Sequence, residues 1–281
     1  MTPTGSALYL RKRFGPRIWA GRLFGLPFNL RRQQIASVLK LAGVQPGEFV
    51  VDVGSASGFY AAEAAVRGAT SVALDISSAS LRTLTDHRLH GHGLQPIAAD
   101  ALAMPLKDAS VDAIIVSGTI QSTNPDGLLS ECARVLKKNG RIIVVAAGEQ
   151  RFVERTYNAA RRSSIPWLFL RACGAPKTWT DFTESYRIRK GINEYFEVGS
   201  LASRAGGHEL QLCRNIQCPA GGSALACELF TLLGWRLSER SLNRRWLFPL
   251  QFAACKLASQ WNLSPGVGSE LVAELRHRPV L

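Results

Sequence analysis

The 281-residue sequence predicts an α/β protein built on a parallel sheet with helices on both faces. The first observation is a series of short runs of β-branched and small apolar residues, typical of central strands buried on both faces. The second is that segments with helical spacing separate these runs, so that strand and helix alternate. A third is the composition, because 46% hydrophobic and 20% charged residues are typical of folded globular proteins.

The helices of this alternation are recognised by their caps and stops. Asn29 can cap a first helix that Gly43 ends, and Gly68 ends a second helix that follows the first strand. Serines open the third helix, and Asn139 with Gly140 ends the fourth. The predicted helices are 29–43, 58–68, 77–89 and 124–138, and the predicted strands are 49–53, 71–76, 96–100, 111–118 and 141–147.

Positive charge is concentrated at the start of the chain. The net charge is +13, and the first 47 residues contain eight Lys and Arg but no Asp or Glu. Within residues 1–28 the arginines alternate with Leu, Ile, Phe and Trp, so this arm is both basic and amphipathic. That mixture favours an anionic membrane surface over a nucleic-acid backbone as partner. The alternative is that these apolar residues cover the domain core.

The cysteines and histidines predict neither disulfides nor a metal site. The six cysteines form no CxxC pair, and no signal peptide precedes them, so we expect reduced thiols and a cytoplasmic protein. His87, His90 and His92 fall near a helix end, at the rim of the sheet opposite the strand carboxyl ends. His208 is similarly placed between a helix and a strand. We therefore interpret all four as structural.

Small residues and acids follow four of the predicted strands. A glycine loop at 54–58 follows the first strand, Asp75 and Asp100 end the second and third, and the small residues 117–119 follow the fourth. The carboxyl ends of parallel strands meet at one rim of the sheet, where ligands of such folds bind. The sequence therefore predicts a cofactor site at this rim.

The spacing of the glycines indicates which cofactor. A dinucleotide fingerprint needs a glycine at the sixth place, but counting from Gly54 that place is Phe59. Residues 52–58 instead fit D-x-G-x-G-x-G, with Ala56 at the middle glycine. With the runs DALAMPLKDASVDAIIVSGTI and LLSECARVLKKNGRIIVV, residues 30–148 resemble the class I S-adenosylmethionine-dependent methyltransferases. The resemblance is to the small-molecule branch that includes type 11 and quinone-biosynthesis C-methyltransferases.

This resemblance implies a Rossmann-like, doubly wound sheet of seven strands, with an antiparallel last strand, in one domain over 29–281. It also implies that S-adenosylmethionine lies over the glycine loop, with one acid on its ribose hydroxyls and another on its adenine amino group. The carry-over suits the chemistry, because a carboxylate can accept from two vicinal hydroxyls at once. The predicted cofactor-binding residues are Asp52, Gly54, Ser55, Ala56, Gly58, Asp75, Ile76, Asp100, Ala101 and Ser117.

Ala56 departs from the glycine pattern. If its backbone adopts a left-handed conformation, its Cβ costs about 1–2 kcal/mol. In that case we expect Ala56→Gly to strengthen cofactor binding. If the backbone there is relaxed, the alanine is simply tolerated.

Two insertions are predicted to decide the acceptor. Residues 149–196, rich in Arg, Trp and Tyr, lie where this branch places its substrate lid, and Tyr157, Tyr186 and Glu184 are the candidates for proton transfer. Strands are predicted at 208–217 and 269–279, so residues 218–268 form an inserted helical hairpin. The apolar runs of the hairpin are shorter than the roughly 20 residues that span a bilayer. Either an in-plane membrane helix or a lid or dimer face fits them.

The sequence thus predicts methyl transfer by in-line displacement to a small, lipophilic acceptor such as an isoprenoid, a quinone or a lipid precursor. Nucleobase amino groups are poor candidates, because the Asn/Asp-Pro-Pro-aromatic run is missing after the fourth strand. A peripheral position on the cytoplasmic membrane would follow from the basic arm. Two alternatives remain: a water-soluble natural product as acceptor, or a non-catalytic cofactor-binding protein that docks to RNA or a protein partner.

Overall fold

The computed structural model describes residues 38–56, 58–85, 93–148, 162, 193–218 and 270–279. Seven strands form one sheet in the order β3-β2-β1-β4-β5-β7-β6, and β7 runs antiparallel to both of its neighbours. The predicted Rossmann-like fold class is therefore confirmed. The strands are β1 (Phe49–Val53), β2 (Thr70–Asp75), β3 (Leu94–Ala98), β4 (Val111–Ser117), β5 (Leu136–Ala147), β6 (Leu210–Cys218) and β7 (Glu270–His277).

Helices cover both faces of the sheet because alternate strand residues point to opposite sides. Val51 packs in a buried cluster with Leu128 and Leu201, which lie on two of the helices. Its neighbour Val50 packs on the other side with Tyr60 and with Val38 of a helical turn at 38–42. The described helices are α1 (Phe59–Val66), α2 (Ser78–Thr85), α3 (Pro125–Val135) and α4 (Val198–Gly206).

The boundary between α3 and β5 and the position of β3 differ from the sequence prediction. The helix expected to reach residue 138 ends at Val135, because Leu136 already pairs with Val111 at the start of β5 and the Lys137 ammonium binds Asp112. The strand expected at 96–100 lies at Leu94–Ala98 instead. Asp100 therefore stands in the following loop, where its side chain accepts from the Leu102 amide and forms a local turn.

Several predicted features lie outside the described residues. These are the arm at 1–28, most of the insertion at 149–196, the hairpin at 218–268 beyond its first residue, and the histidines at 87, 90 and 92.

Among the helices that the structure describes, none has the length and apolarity to cross a membrane. His208 lies between α4 and β6, as predicted. Burial raises the pKa of the Cys132 thiol to about 12, which fits a core residue.

Candidate cofactor site

The glycine loop joins β1 to α1 and is held by backbone hydrogen bonds. The Ser55 amide donates to the Leu74 carbonyl at 2.9 Å, which fixes the loop against β2. Gly58, the residue that caps α1, has no side chain, and the buried Asp52 carboxylate accepts from the Ala61 amide at 3.2 Å in its place. Asp52 therefore supports the helix start beneath the loop, since an acceptor there satisfies an otherwise unpaired helix amide.

Gly54 is required by both its backbone and its surroundings. Its φ is +66°, in the left-handed region, and a Cβ at this position would lie 1.9 Å from the Thr119 Oγ1 atom. The Thr119 hydroxyl in turn donates to the Val53 carbonyl at 3.0 Å. The loops after β1 and β4 are thus in direct contact, with no room for a side chain between them.

Ala56 has a left-handed backbone, which is the first of the two cases that its place in the glycine pattern left open. Its φ is +48°, and the residue is exposed. The Ala56 amide donates to Asp75 Oδ2 at 2.7 Å. A charge-assisted bond of this length offsets part of the cost of a left-handed alanine, so the Asp75 carboxylate stabilises the loop.

Asp75 has capacity left for a ligand. It ends β2, it is partly buried, and its Oδ1 accepts from the Ser77 amide at 2.8 Å. Because each carboxylate oxygen offers two acceptor positions, each of the two oxygens retains one after these contacts. A pair of vicinal hydroxyls is a group that would use both.

An apolar surface lies next to this carboxylate. Ile76, the residue that follows Asp75, is 78% exposed, which is unusual for a large aliphatic side chain. The Ala99 amide donates to the Asp75 carbonyl at 3.1 Å and so holds the start of the Asp100 loop beside the end of β2. An exposed apolar face bordered by acceptors fits a flat ring with an amino group, as adenine is.

The Asp100 loop is fixed in place by a cluster around Arg134 of α3. Arg134 donates to the carbonyls of Met104 and Leu106 and pairs with Glu131 and Asp108. The hydrogen bond from Arg134 lowers the pKa of Glu131 despite partial burial of that carboxyl. This cluster ties the loop that carries Asp100 and Ala101 to α3.

The site fits S-adenosylmethionine in two respects. The Ser55 Oγ atom is buried and has no hydrogen-bond partner among the described residues. A buried hydroxyl of this kind needs a partner, which a bound ligand or a water molecule can supply. Acids also lie at the ends of two neighbouring strands, where Asp75 ends β2 and Asp100 follows β3. Such a rim suits a cationic sulfonium better than a pyrophosphate, which carries negative charge.

Of the other predicted site residues, the structure describes Ser117 but not the three candidates for proton transfer. Ser117 ends β4, and its hydroxyl lies 3.5 Å from that of Tyr60, at the limit of a hydrogen bond. Tyr157, Tyr186 and Glu184 lie outside the described residues. No group of three or more His, Cys, Asp and Glu side chains in the described part of the chain is placed to hold a metal ion.

Two polar residues after β4, Thr119 and Gln121, are not among the predicted cofactor-binding residues, although residues 117–119 were predicted to lie at this rim. Gln121 Oε1 accepts from the Ala147 amide at 2.6 Å, and its carbonyl accepts from the Asn193 amide at 2.7 Å. It therefore joins the end of β5 to the point where the chain returns after residue 192. The sequence sign of Thr119 was its place among the small residues after the fourth strand, and Gln121 follows them in a polar run.

Comparisons with known proteins agree with this geometry. Residues 51–144 match the family described as "Methyltransferase domain". The chain is 36% identical over 121 residues to malonyl-[acyl-carrier protein] O-methyltransferase of Methylococcus capsulatus, across 41% of this chain and 44% of that protein. It is 31% identical over 167 residues to demethylmenaquinone methyltransferase of Tropheryma whipplei, across 58% of this chain and 66% of that protein. The matches thus span less than two thirds of either relative.

A solved structure shows the same fold. Geranyl diphosphate C-methyltransferase from Streptomyces coelicolor, in complex with Mg²⁺, geranyl diphosphate and S-adenosyl-L-homocysteine, has a TM-score of 0.56 at 15% identity. The alignment covers 90% of this chain and 82% of that one. The resemblance inferred from the glycine loop and the strands around it is confirmed.

The strain at Ala56 leads to a stability prediction. We expect Ala56→Gly to raise the free energy of unfolding by about 1 kcal/mol, because glycine adopts a left-handed backbone without the Cβ penalty. Chemical denaturation of the cofactor-free protein measures this change.

Two other alanines provide controls for this measurement. Ala109, in a different loop, also has a left-handed φ of +49°, so Ala109→Gly should be stabilising as well. Ala79 is an exposed residue of α2, and Ala79→Gly should lower stability by about 0.5–1 kcal/mol. A loss of stability in Ala56→Gly as large as that in Ala79→Gly would show that the loop is not strained.

Proposed function

We propose that this chain, of which residues 51–144 match a methyltransferase domain, transfers a methyl group from S-adenosylmethionine to a small, lipophilic acceptor. The observation that carries this proposal is the Asp75 carboxylate, which holds the glycine loop by the Ala56 amide and keeps one acceptor position free on each oxygen. Those two positions match the vicinal hydroxyls of a ribose.

The residues of the rim have separate roles in this proposal. Asp75 accepts from the ribose hydroxyls, Ile76 covers one face of the adenine, and Asp100 accepts from its amino group. Residues 54–58 lie under the remainder of the cofactor. The bound cofactor supplies a methyl group already activated by its sulfonium, so the chain mainly aligns the acceptor in line with it and excludes water.

The names of related proteins support a lipophilic acceptor. One relative is named for demethylmenaquinone, a quinone, and the structural neighbour for geranyl diphosphate, an isoprenoid. We propose an acceptor of this general class, an isoprenoid, a quinone or a lipid precursor. The candidates for proton transfer remain Tyr157, Tyr186 and Glu184, in case the acceptor must lose a proton.

The distribution of charge supports a peripheral position on an anionic membrane. Residues 38–148, 193–218 and 270–279, which hold the sheet, contain 13 Lys and Arg against 15 Asp and Glu. The rest of the chain contains 21 Lys and Arg against 6 Asp and Glu. The net positive charge of the protein therefore comes from the residues outside these ranges, which also contain all six Trp residues.

The attachment points of two basic segments lie on the cofactor side of the sheet. Ala147 of β5 and Cys218 of β6 both pair with Glu270 of β7, so residues 149–192 and 219–269 join the sheet at one position. A bridge between Gly148 and Phe196 brings the chain back to the same rim. Basic segments rooted there would bring the site close to an anionic surface, where a lipophilic acceptor resides.

Cofactor binding is tested at Asp75. We expect Asp75→Asn to weaken S-adenosylmethionine binding by about 10–100-fold, because a hydrogen bond to a charged group contributes about 1.5–3 kcal/mol. Isothermal titration calorimetry on the folded proteins measures the dissociation constants. The matched control is Glu209→Gln, which removes the same charge from an exposed position directly before β6, at the opposite rim of the sheet. Equal weakening by both variants would indicate a general charge effect and contradict the assigned role of Asp75.

Methyl transfer is tested without a known acceptor. Incubation of a total lipid extract with the protein and methyl-labelled S-adenosylmethionine should place label in a lipid-soluble product that mass spectrometry identifies. Asp75→Asn should reduce the labelling. Label confined to water-soluble compounds would favour a natural-product acceptor, and cofactor binding without any labelling would favour the non-catalytic alternative.

Membrane association is tested by liposome flotation. The full chain should float with anionic vesicles and much less with neutral ones, because each Lys or Arg near the surface adds about 1 kcal/mol. Changing Arg11, Lys12 and Arg13 to Gln should therefore lower partitioning by about 100-fold. The matched control changes the exposed Lys40, Lys107 and Lys138 of the sheet domain to Gln. Equal recovery with neutral and anionic vesicles would contradict the membrane role.

A further inference from the structure

We propose that Thr119 is a positioning residue of the cofactor site: its hydroxyl fixes the glycine loop in the conformation that binds the methyl donor. This inference rests on the proposed function and adds a residue that was not among the predicted cofactor-binding residues. Thr119 follows β4, two residues beyond the last residue of that strand, and it is partly buried.

The contacts of Thr119 join two loops that are distant in sequence. Its Oγ1 donates to the Val53 carbonyl at 3.0 Å across a separation of 66 residues, and Val53 directly precedes Gly54. The side chain also fills the space beside Gly54, where a Cβ would lie 1.9 Å from Oγ1 and 2.9 Å from Cγ2. Thr119 thus holds the peptide before the first glycine and limits where that glycine can move.

Thr119 is itself held in place by its own loop. Its carbonyl accepts from the Ser122 amide at 3.0 Å and from the Ser122 hydroxyl at 3.1 Å. The preceding Gly118 has a φ of +79°, and its amide donates to the Val145 carbonyl of β5 at 2.8 Å. Because these contacts anchor Thr119 to the sheet, its hydrogen bond to Val53 restricts the motion of the glycine loop.

The geometry distinguishes the hydroxyl from a methyl group of similar size. In Thr119→Val a methyl group would replace Oγ1 next to Gly54, and the Val53 carbonyl would lose the hydrogen bond from Thr119. Without this bond the peptide that leads into Gly54 is held less firmly and can shift. In Thr119→Ser the hydroxyl and its bond remain, so the loop should keep its position.

The experiment is calorimetric titration of S-adenosylmethionine into the full chain and its variants, with thermal unfolding of each cofactor-free protein beside it. We expect about tenfold weaker binding in Thr119→Val and a dissociation constant within about twofold of the unaltered protein in Thr119→Ser. Thr119→Ala, which removes the hydroxyl without adding a methyl group beside Gly54, should also bind about tenfold more weakly. It serves as the test if the valine variant does not fold. Thr70→Val, at an exposed position on β2, is the matched control and should bind like the unaltered protein.

The outcomes separate this inference from the proposed function. No binding by the unaltered protein would overturn the proposed function itself. Binding by the unaltered protein together with equal affinity in the variants that lack the hydroxyl would overturn only the role of Thr119. A fall in unfolding temperature without a change in the dissociation constant would show that Thr119 supports the fold and not the cofactor loop.

Discussion

The hydrogen bond from the Ala56 amide to the Asp75 carboxylate, 2.7 Å long, is the interaction on which the candidate site depends. It connects the end of β2 to the loop after β1 and does so at a residue whose backbone is left-handed. Because the same carboxylate is the proposed ribose acceptor, loop conformation and ligand recognition share one group. The alanine at this position makes the bond more important than it would be beside a glycine, which needs no such support.

The rest of the fold serves to bring these groups together. β1 lies between β2 and β4 in the sheet, so the loop after β1 meets Asp75 on one side and Thr119 on the other. Buried aliphatic residues on both faces of these strands fix the register, and with it the relative positions of the strand ends. The polar contacts at the rim are few, but each is made by a residue that a packed strand holds in place.

Much of this arrangement could be predicted from the sequence because it depends on local patterns of residues. The buried strands, the helix ends at Gly43 and Gly68 and the identity of Asp75 as a strand-end acid follow from residue type and spacing. The role of Thr119 could not be predicted, since its contact with Val53 depends on β1 and β4 being neighbours across 66 residues. The predicted end of α3 was wrong for a similar reason. Lys137 is typical of the last turn of a helix, but the pairing between Leu136 and Val111 places Lys137 in β5. The strain at Ala56 could be stated only as a condition, because it depends on the φ of one residue.

A double-mutant cycle for S-adenosylmethionine affinity tests the double role of Asp75 most directly. It compares Ala56→Gly, Asp75→Asn and the variant that combines them. If Asp75 both binds the cofactor and holds Ala56 in its left-handed conformation, its loss should cost more affinity with alanine at position 56 than with glycine. The difference should be about 1 kcal/mol, within the range of couplings between residues in contact. Losses of binding free energy on Asp75→Asn that agree within about 0.5 kcal/mol with alanine and with glycine at position 56 would contradict this double role, because Asp75 and the loop would then act independently.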